Sequence, residues 1–176
     1  MRTRTITATV ALMMTAVLGL PTPPVSAADS GGVLAAFEGT TINLQDGWGA
    51  ARACTSNGTV TTCYRSEAAM DRATAVSARS TEITPLAACS SSLRLYRSTS
   101  YGGSVLQLTT RYTYINLSGY GFENDTSSYK VGACSAGFYD GSGGGAPAYP
   151  GNTGANASAT SMVSGWDNRV SSVYIA

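Results

Sequence analysis

Two six-residue segments gather side chains suited to holding a hard cation. Asp167-Asn168-Arg169-Val170-Ser171-Ser172 is the fuller one, and Glu123-Asn124-Asp125-Thr126-Ser127-Ser128 reads as its degenerate copy. Each follows an aromatic residue, Trp166 or Phe122. Each leads into a strand-like run, Val173-Tyr174-Ile175 or Tyr129-Lys130-Val131. Carboxylate and amide oxygens followed by hydroxyls are ligands of the kind calcium takes. A duplicated site of this sort points to a secreted calcium-binding β-domain.

Other chemistries are closed off by composition. The chain has no histidine, which excludes a Ser-His-Asp or Cys-His triad, His-ligated zinc and histidine acid–base catalysis. Acidic residues are scattered, with no glycosidase-like pair, so a non-enzymatic protein is expected. Gly102-Gly103 and Gly143-Gly144-Gly145 lead into no Gly-Lys-Ser/Thr and read as turns rather than phosphate loops. The formal charge of +1 falls to −1 once Arg2 and Arg4 are removed. No basic face follows, and nucleic acid is not an expected partner.

Arg2 and Arg4, the apolar run from Ile6 to Leu20, and Val25-Ser26-Ala27 have the form of a secretory signal peptide spanning residues 1–27. The run is too short to span a bilayer. The expected product is therefore secreted and extracellular, with no membrane association after cleavage. Residues 28–84 read as a small α+β segment and residues 85–176 as a separate β-domain.

Cys54, Cys63, Cys89 and Cys134 make an even set in an exported chain, which argues for two disulfides. Of three connectivities, Cys54–Cys63 and Cys89–Cys134 are favoured. The first pair flanks Asn57-Gly58, a hairpin-turn signal. The second joins equivalent points of a repeat.

The elements that must position these residues are mostly strands. Leu34 to Glu38, Thr40 to Leu44 and Thr59 to Arg65 look extended, and Trp48 to Cys54 looks like a short helical turn. Ser66 caps an expected helix over Glu67 to Thr74, with Glu67, Asp71 and Arg72 on a solvated face. Ala75 to Pro85 reads as a linker. From Cys89 onward, short alternating runs such as Leu93-Arg94-Leu95-Tyr96 and Val105-Leu106-Gln107-Leu108 suggest a sandwich. Gly141 to Thr160, rich in Gly and Ala, reads as a long loop.

The second half repeats. Cys89 to Cys134 spans 45 residues, Tyr96 to Tyr139 spans 43 and Glu123 to Asp167 spans 44. The first copy also holds Tyr96-Arg97-Ser98-Thr99-Ser100-Tyr101-Gly102-Gly103, an aromatic pair ahead of two glycines, which suits a folded hairpin. With the Asp167–Ser172 pattern, this resembles the βγ-crystallin family over residues 89–176. The resemblance implies a mainly β, double Greek-key sandwich, here preceded by the small α+β segment. It implies two calcium sites, each shared between the copies: Ser127 with Asp167 and Asn168, and Ser171 with Glu123 and Asn124. The carbonyls of Asp125 and Arg169 complete the expected ligands. Ser128 and Ser172 hold their loops, and Asp140 is a further candidate by its place after Tyr139. Few carboxylates per site imply weak binding, on the order of 10⁻⁵ to 10⁻³ M.

Two departures from the family stand out. Glu123 replaces the usual Asp or Asn. The second hairpin, Phe138-Tyr139-Asp140-Gly141-Ser142-Gly143-Gly144-Gly145, lacks its second aromatic and should be less firmly pinned. Some secreted microbial members with two disulfides inhibit metalloproteinases, so an extracellular protease is an alternative partner. A cell-wall, carbohydrate-binding or toxin-like module is a third reading.

Overall fold

The computed structural model describes residues 31–80 and 92–176. The expected signal peptide and Cys89, and with it the expected Cys89–Cys134 bridge, lie outside the described residues. Residues from Gly31 onward form one compact unit.

Alternation of apolar and polar residues builds two sheets. The repeat supplies eight short strands: β5 (Leu93–Ser98), β6 (Gly102–Leu108), β7 (Tyr114–Asn116), β8 (Ser128–Lys130), β9 (Ala136–Gly141), β10 (Gly145–Ala148), β11 (Ser158–Ala159) and β12 (Ser172–Ile175). The first four make one key and the last four the other. They exchange their third strands. One sheet runs β11-β8-β5-β6 and the other β10-β9-β12-β7. Neither key can therefore close its sheet without the other. Inward-facing Leu95, Leu106, Leu108, Tyr129, Phe138, Val173 and Ile175 are buried between the sheets. Burial on this scale is the main force holding them together.

The N-terminal residues extend the first sheet. β1 (Leu34–Phe37), β2 (Thr40–Asn43), β3 (Ala53–Ser56) and β4 (Thr61–Tyr64) continue it beyond β6 in the order β3-β4-β1-β2. β3 joins β6 in parallel, with Ala53 beside Val105 and Cys54 beside Leu106. Cys54 thus lies in a strand, not in a helical turn. Cys54 and Cys63 stand directly opposite across the β3–β4 hairpin and are bridged, as the Asn57-Gly58 turn suggests. At that turn the Asn57 side chain accepts bonds from the amides of Thr59 and Val60.

Helix α1 (Glu67–Ser80) is longer than expected and takes in the first part of the predicted linker. Ser66 caps it, its Oγ accepting from the Ala69 amide at 3.2 Å. The helix lies on the outer face of the first sheet, where buried Met70 meets Ala53, Tyr96 and Val105. Glu67 and Asp71 are not on a solvated face. The Arg94 guanidinium donates to Glu67 at 2.7 Å and to Asp71 at 2.6 Å, and the Tyr96 hydroxyl donates to the same Glu67 oxygen. Burial and that carboxylate push the Tyr96 phenol well above its ordinary range.

The expected loop over Gly141 to Thr160 contains two strands, β10 and β11. Their residues have weak strand preference. Pairing with β9 and β8 supplies the order that local sequence does not. Among the described residues no helix is long and apolar enough to cross a membrane.

Candidate metal centre

Each key folds its first two strands over at a tight turn. Ser100 and its counterpart Gly143 both take left-handed geometry, at φ 57° and 63°. A buried serine from the same key's last strand clasps each turn. Ser128 Oγ donates to the Ser98 carbonyl at 2.6 Å and accepts from the Tyr101 amide at 3.1 Å. Ser172 Oγ donates to the Gly141 carbonyl and accepts from the Gly144 amide at 3.0 Å. Both serines hold their loops, as the motif implies.

The second turn is not loosely pinned. A Cβ on Gly144 would come within 2.2 Å of the Tyr114 ring. Tyr114 comes from β7 of the first key, and its ring meets Tyr139 at 5.5 Å, edge to face. The first hairpin has the same contact between Tyr96 and Tyr101, also at 5.5 Å. The ring missing from the second hairpin is thus supplied across the exchanged strand.

The two motif loops run side by side. The Asn124 amide donates to the Val170 carbonyl at 2.9 Å, and the Asn168 amide donates to the Thr126 carbonyl at 3.1 Å. Both asparagines are left-handed, at φ 53° and 54°, a conformation that Asn tolerates better than most residues. This geometry aims each side chain at the other loop. Ser127 Oγ donates to Asn168 Oδ1 at 3.2 Å, and Ser171 Oγ donates to Asn124 Oδ1 at 3.1 Å. Of the expected partners, the serine and asparagine side chains therefore meet twice, crosswise. The serines are buried while the asparagines, Glu123 and Asp167 are exposed. Each Ser–Asn pair thus borders solvent, and an acidic residue, Glu123 or Asp167, precedes each asparagine in the chain.

The acidic side chains of the remaining candidates are held in ion pairs, while the candidate ligands at Asp125 and Arg169 are their backbone carbonyls. Asp125 pairs with Arg97 at 2.7 Å, and Asp140 pairs with Arg169 at 2.9 Å. Burial holds the Asp125 carboxyl above its ordinary value, and the Arg97 guanidinium offsets part of that rise. Asp140 thus reaches the second motif loop through its arginine, Arg169. Among the described residues, no three acidic, cysteine or histidine side chains converge as metal ligands. A cation here would rest on hydroxyl, amide and carbonyl oxygens with a single carboxylate, a donor set that fits a hard ion such as calcium held weakly.

Two residues near the site escape a motif search. Arg97 stacks over Trp48 and Phe122 at 5.2 and 4.9 Å and donates to the Gly121 carbonyl. Trp48 donates its indole N–H to the Tyr120 carbonyl at 2.8 Å, tying the N-terminal strands to the loop that leads into Glu123. Arg97 was discoverable. Shifting the sequence by the repeat offset sets Arg97 on Asp140 and Asp125 on Arg169, the same ion pair with its signs reversed.

No protein-family model matches the chain, and no curated protein does. Among solved structures it is similar to a βγ-crystallin from Ciona intestinalis, at 23% identity and TM-score 0.41, covering 49% of this chain and 100% of that one. An archaeal βγ-crystallin gives 20% identity and TM-score 0.42, over 50% of this chain and 100% of the other. A βγ-crystallin domain from Flavobacterium johnsoniae gives 21% and 0.40, over 48% and 92%. These likenesses concern about half of the chain and its fold alone. With two Greek keys that exchange their third strands and clasp their folded hairpins by equivalent serines, residues 92–176 have the βγ-crystallin fold.

Proposed function

We propose that this chain is a secreted, non-enzymatic module that binds calcium at two sites, each shared between its keys. The observation that carries the reading is the crossed pair of Ser–Asn contacts, Ser127 with Asn168 and Ser171 with Asn124. One site takes Ser127, Asn168 and Asp167. The other takes Ser171, Asn124 and Glu123. The carbonyls of Asp125 and Arg169 belong to the same loops. A bound cation would join segments about 44 residues apart and so favour the native state. Melting the protein in millimolar calcium and again in excess chelator tests this. A transition raised by calcium and unmoved by magnesium supports it, and identical transitions count against it.

Inhibition of an extracellular protease is a second reading, supported by the β3–β4 hairpin. Its tip, residues 57–60, is exposed, tied at its base by Cys54–Cys63 and stiffened by the Asn57 side chain. Such a pre-organised loop enters a cleft at low entropic cost. A thermolysin-like enzyme unaffected by excess protein would remove this reading.

A further inference from the structure

The two sheets carry matching tyrosines on their outer faces, but among the described residues a helix covers only one of them. On the first, α1 buries Tyr96 and Val105, and Arg94 grips Glu67 and Asp71. Lys130 sits over the rings of Tyr96 and Tyr101, at 5.4 and 4.3 Å. On the second, Tyr139 stands where Tyr96 would. The positions of Arg94, Lys130 and Gln107 become Gly137, Tyr174 and Pro150. The charges that hold the helix are gone, and a third tyrosine has been added.

Tyr114, Tyr139 and Tyr174 form one cluster across β7, β9 and β12. Tyr114 meets Tyr139 at 5.5 Å and Tyr174 at 5.2 Å. Glycine lies beneath two of the rings. A Cβ on Gly137 would meet the Tyr139 hydroxyl oxygen at 2.7 Å, and one on Gly144 would strike Tyr114. These rings therefore lie against the backbone instead of standing off it. Tyr114 is 49% exposed. Asn116 and Ser172 share the face, each accepting from a backbone amide of the second turn.

We propose that this face binds a neutral polysaccharide, with sugar rings resting on Tyr114, Tyr139 and Tyr174. The positions equivalent to Arg94 and Lys130, which hold charge on the opposite face, are the uncharged Gly137 and Tyr174 here. Tyrosine offers an apolar ring beside a hydroxyl, which suits a ligand whose own faces are apolar and whose edges are hydroxyls. Size also selects. Three short strands at the usual strand spacing and rise present only about 200–300 Å². That is enough for a few sugar units and far below the ~800 Å² per partner of a stable protein interface.

Depletion of the full chain from solution on cellulose and chitin, with affinity electrophoresis in laminarin and mannan, tests the proposal. Alginate and heparin serve as charged controls. The expected result is retention on at least one neutral polymer that persists in high salt. Retention should fall about tenfold in Tyr114→Ser or Tyr174→Ser, roughly one good contact's worth, with melting curves showing both variants folded. Absence of retention by folded wild-type protein on all four neutral polymers overturns it. So does retention undiminished in both variants, or self-association that Tyr114→Ser abolishes, which would give the face to a second copy of the chain.

Discussion

At residue 101 the first key carries a tyrosine whose ring closes on Tyr96. At the matching residue 144 the second key carries a glycine, and Tyr114 reaches in from the other key to close on Tyr139. The first key pairs Arg97 with Asp125, and the second pairs Asp140 with Arg169. The first key's outer face is roofed by a helix, and among the described residues the second's carries none. What stays constant is narrower: the clasping serines 128 and 172, the left-handed asparagines 124 and 168, and the crossed contacts of Ser127 and Ser171. Side chains that only fill space have been exchanged freely between the keys. Those that fix the paired loops have been kept in both.

The largest expected difference lies in the core. Phe138 touches both Tyr129 and Tyr149, and Tyr149 in turn meets Trp166. Its counterpart Leu95 is aliphatic. Phe138→Ala should cost about 3–5 kcal/mol in chemical denaturation, and Leu95→Ala somewhat less, within about 2–5. A reversed order would mean that the second key's aromatic cluster is not its main support.

The clasps come next. Ser128→Ala and Ser172→Ala each remove a buried hydroxyl that both donates to and accepts from a turn, so each should cost about 1–3 kcal/mol. Near-equal values would confirm that both hairpins depend on their serine. A silent Ser172→Ala would show that the glycine-rich hairpin holds without it.

Gly144 is left-handed at φ 84° and covered by Tyr114. Gly144→Ala should destabilise by more than about 1 kcal/mol, from both the backbone and the ring. Adding Tyr114→Ala should recover the steric part, and a strictly additive double variant would contradict the compensation described above.

The smallest effect has the opposite sign. Thr126 is buried, and its hydroxyl has no partner among the described residues, while the equivalent residue in the second key is Val170. Thr126→Val should stabilise the protein by about 1 kcal/mol by removing an unsatisfied polar atom at nearly constant shape. A loss of stability would mean that the hydroxyl has a partner in solution.

Legibility in the sequence followed the range of the interaction. The repeat, the two motif loops and the hairpin around Asn57-Gly58 are written in contiguous residues, and the resemblance they carry implied the pairing of Ser127 with Asn168 and of Ser171 with Asn124. Glu67 and Asp71 read as solvated because their partner Arg94 lies 27 and 23 residues away, with no local pattern joining them. Strands β10 and β11 read as loop because Gly, Ala and Ser encode little on their own. Their order comes from neighbours that only the folded chain brings close. Tyr114 was invisible as a replacement for the missing aromatic, since it belongs to the other copy of the repeat.

The most direct test of the shared sites is a calorimetric calcium titration of calcium-free full chain, repeated with Ser127→Ala and with Ser171→Ala. Two saturable sites with affinities on the order of 10⁻⁵ to 10⁻³ M are expected, and each variant should lose one site and keep the other. No heat from folded wild-type protein, or two sites surviving in either variant, would contradict the assignment of calcium to the crossed loops.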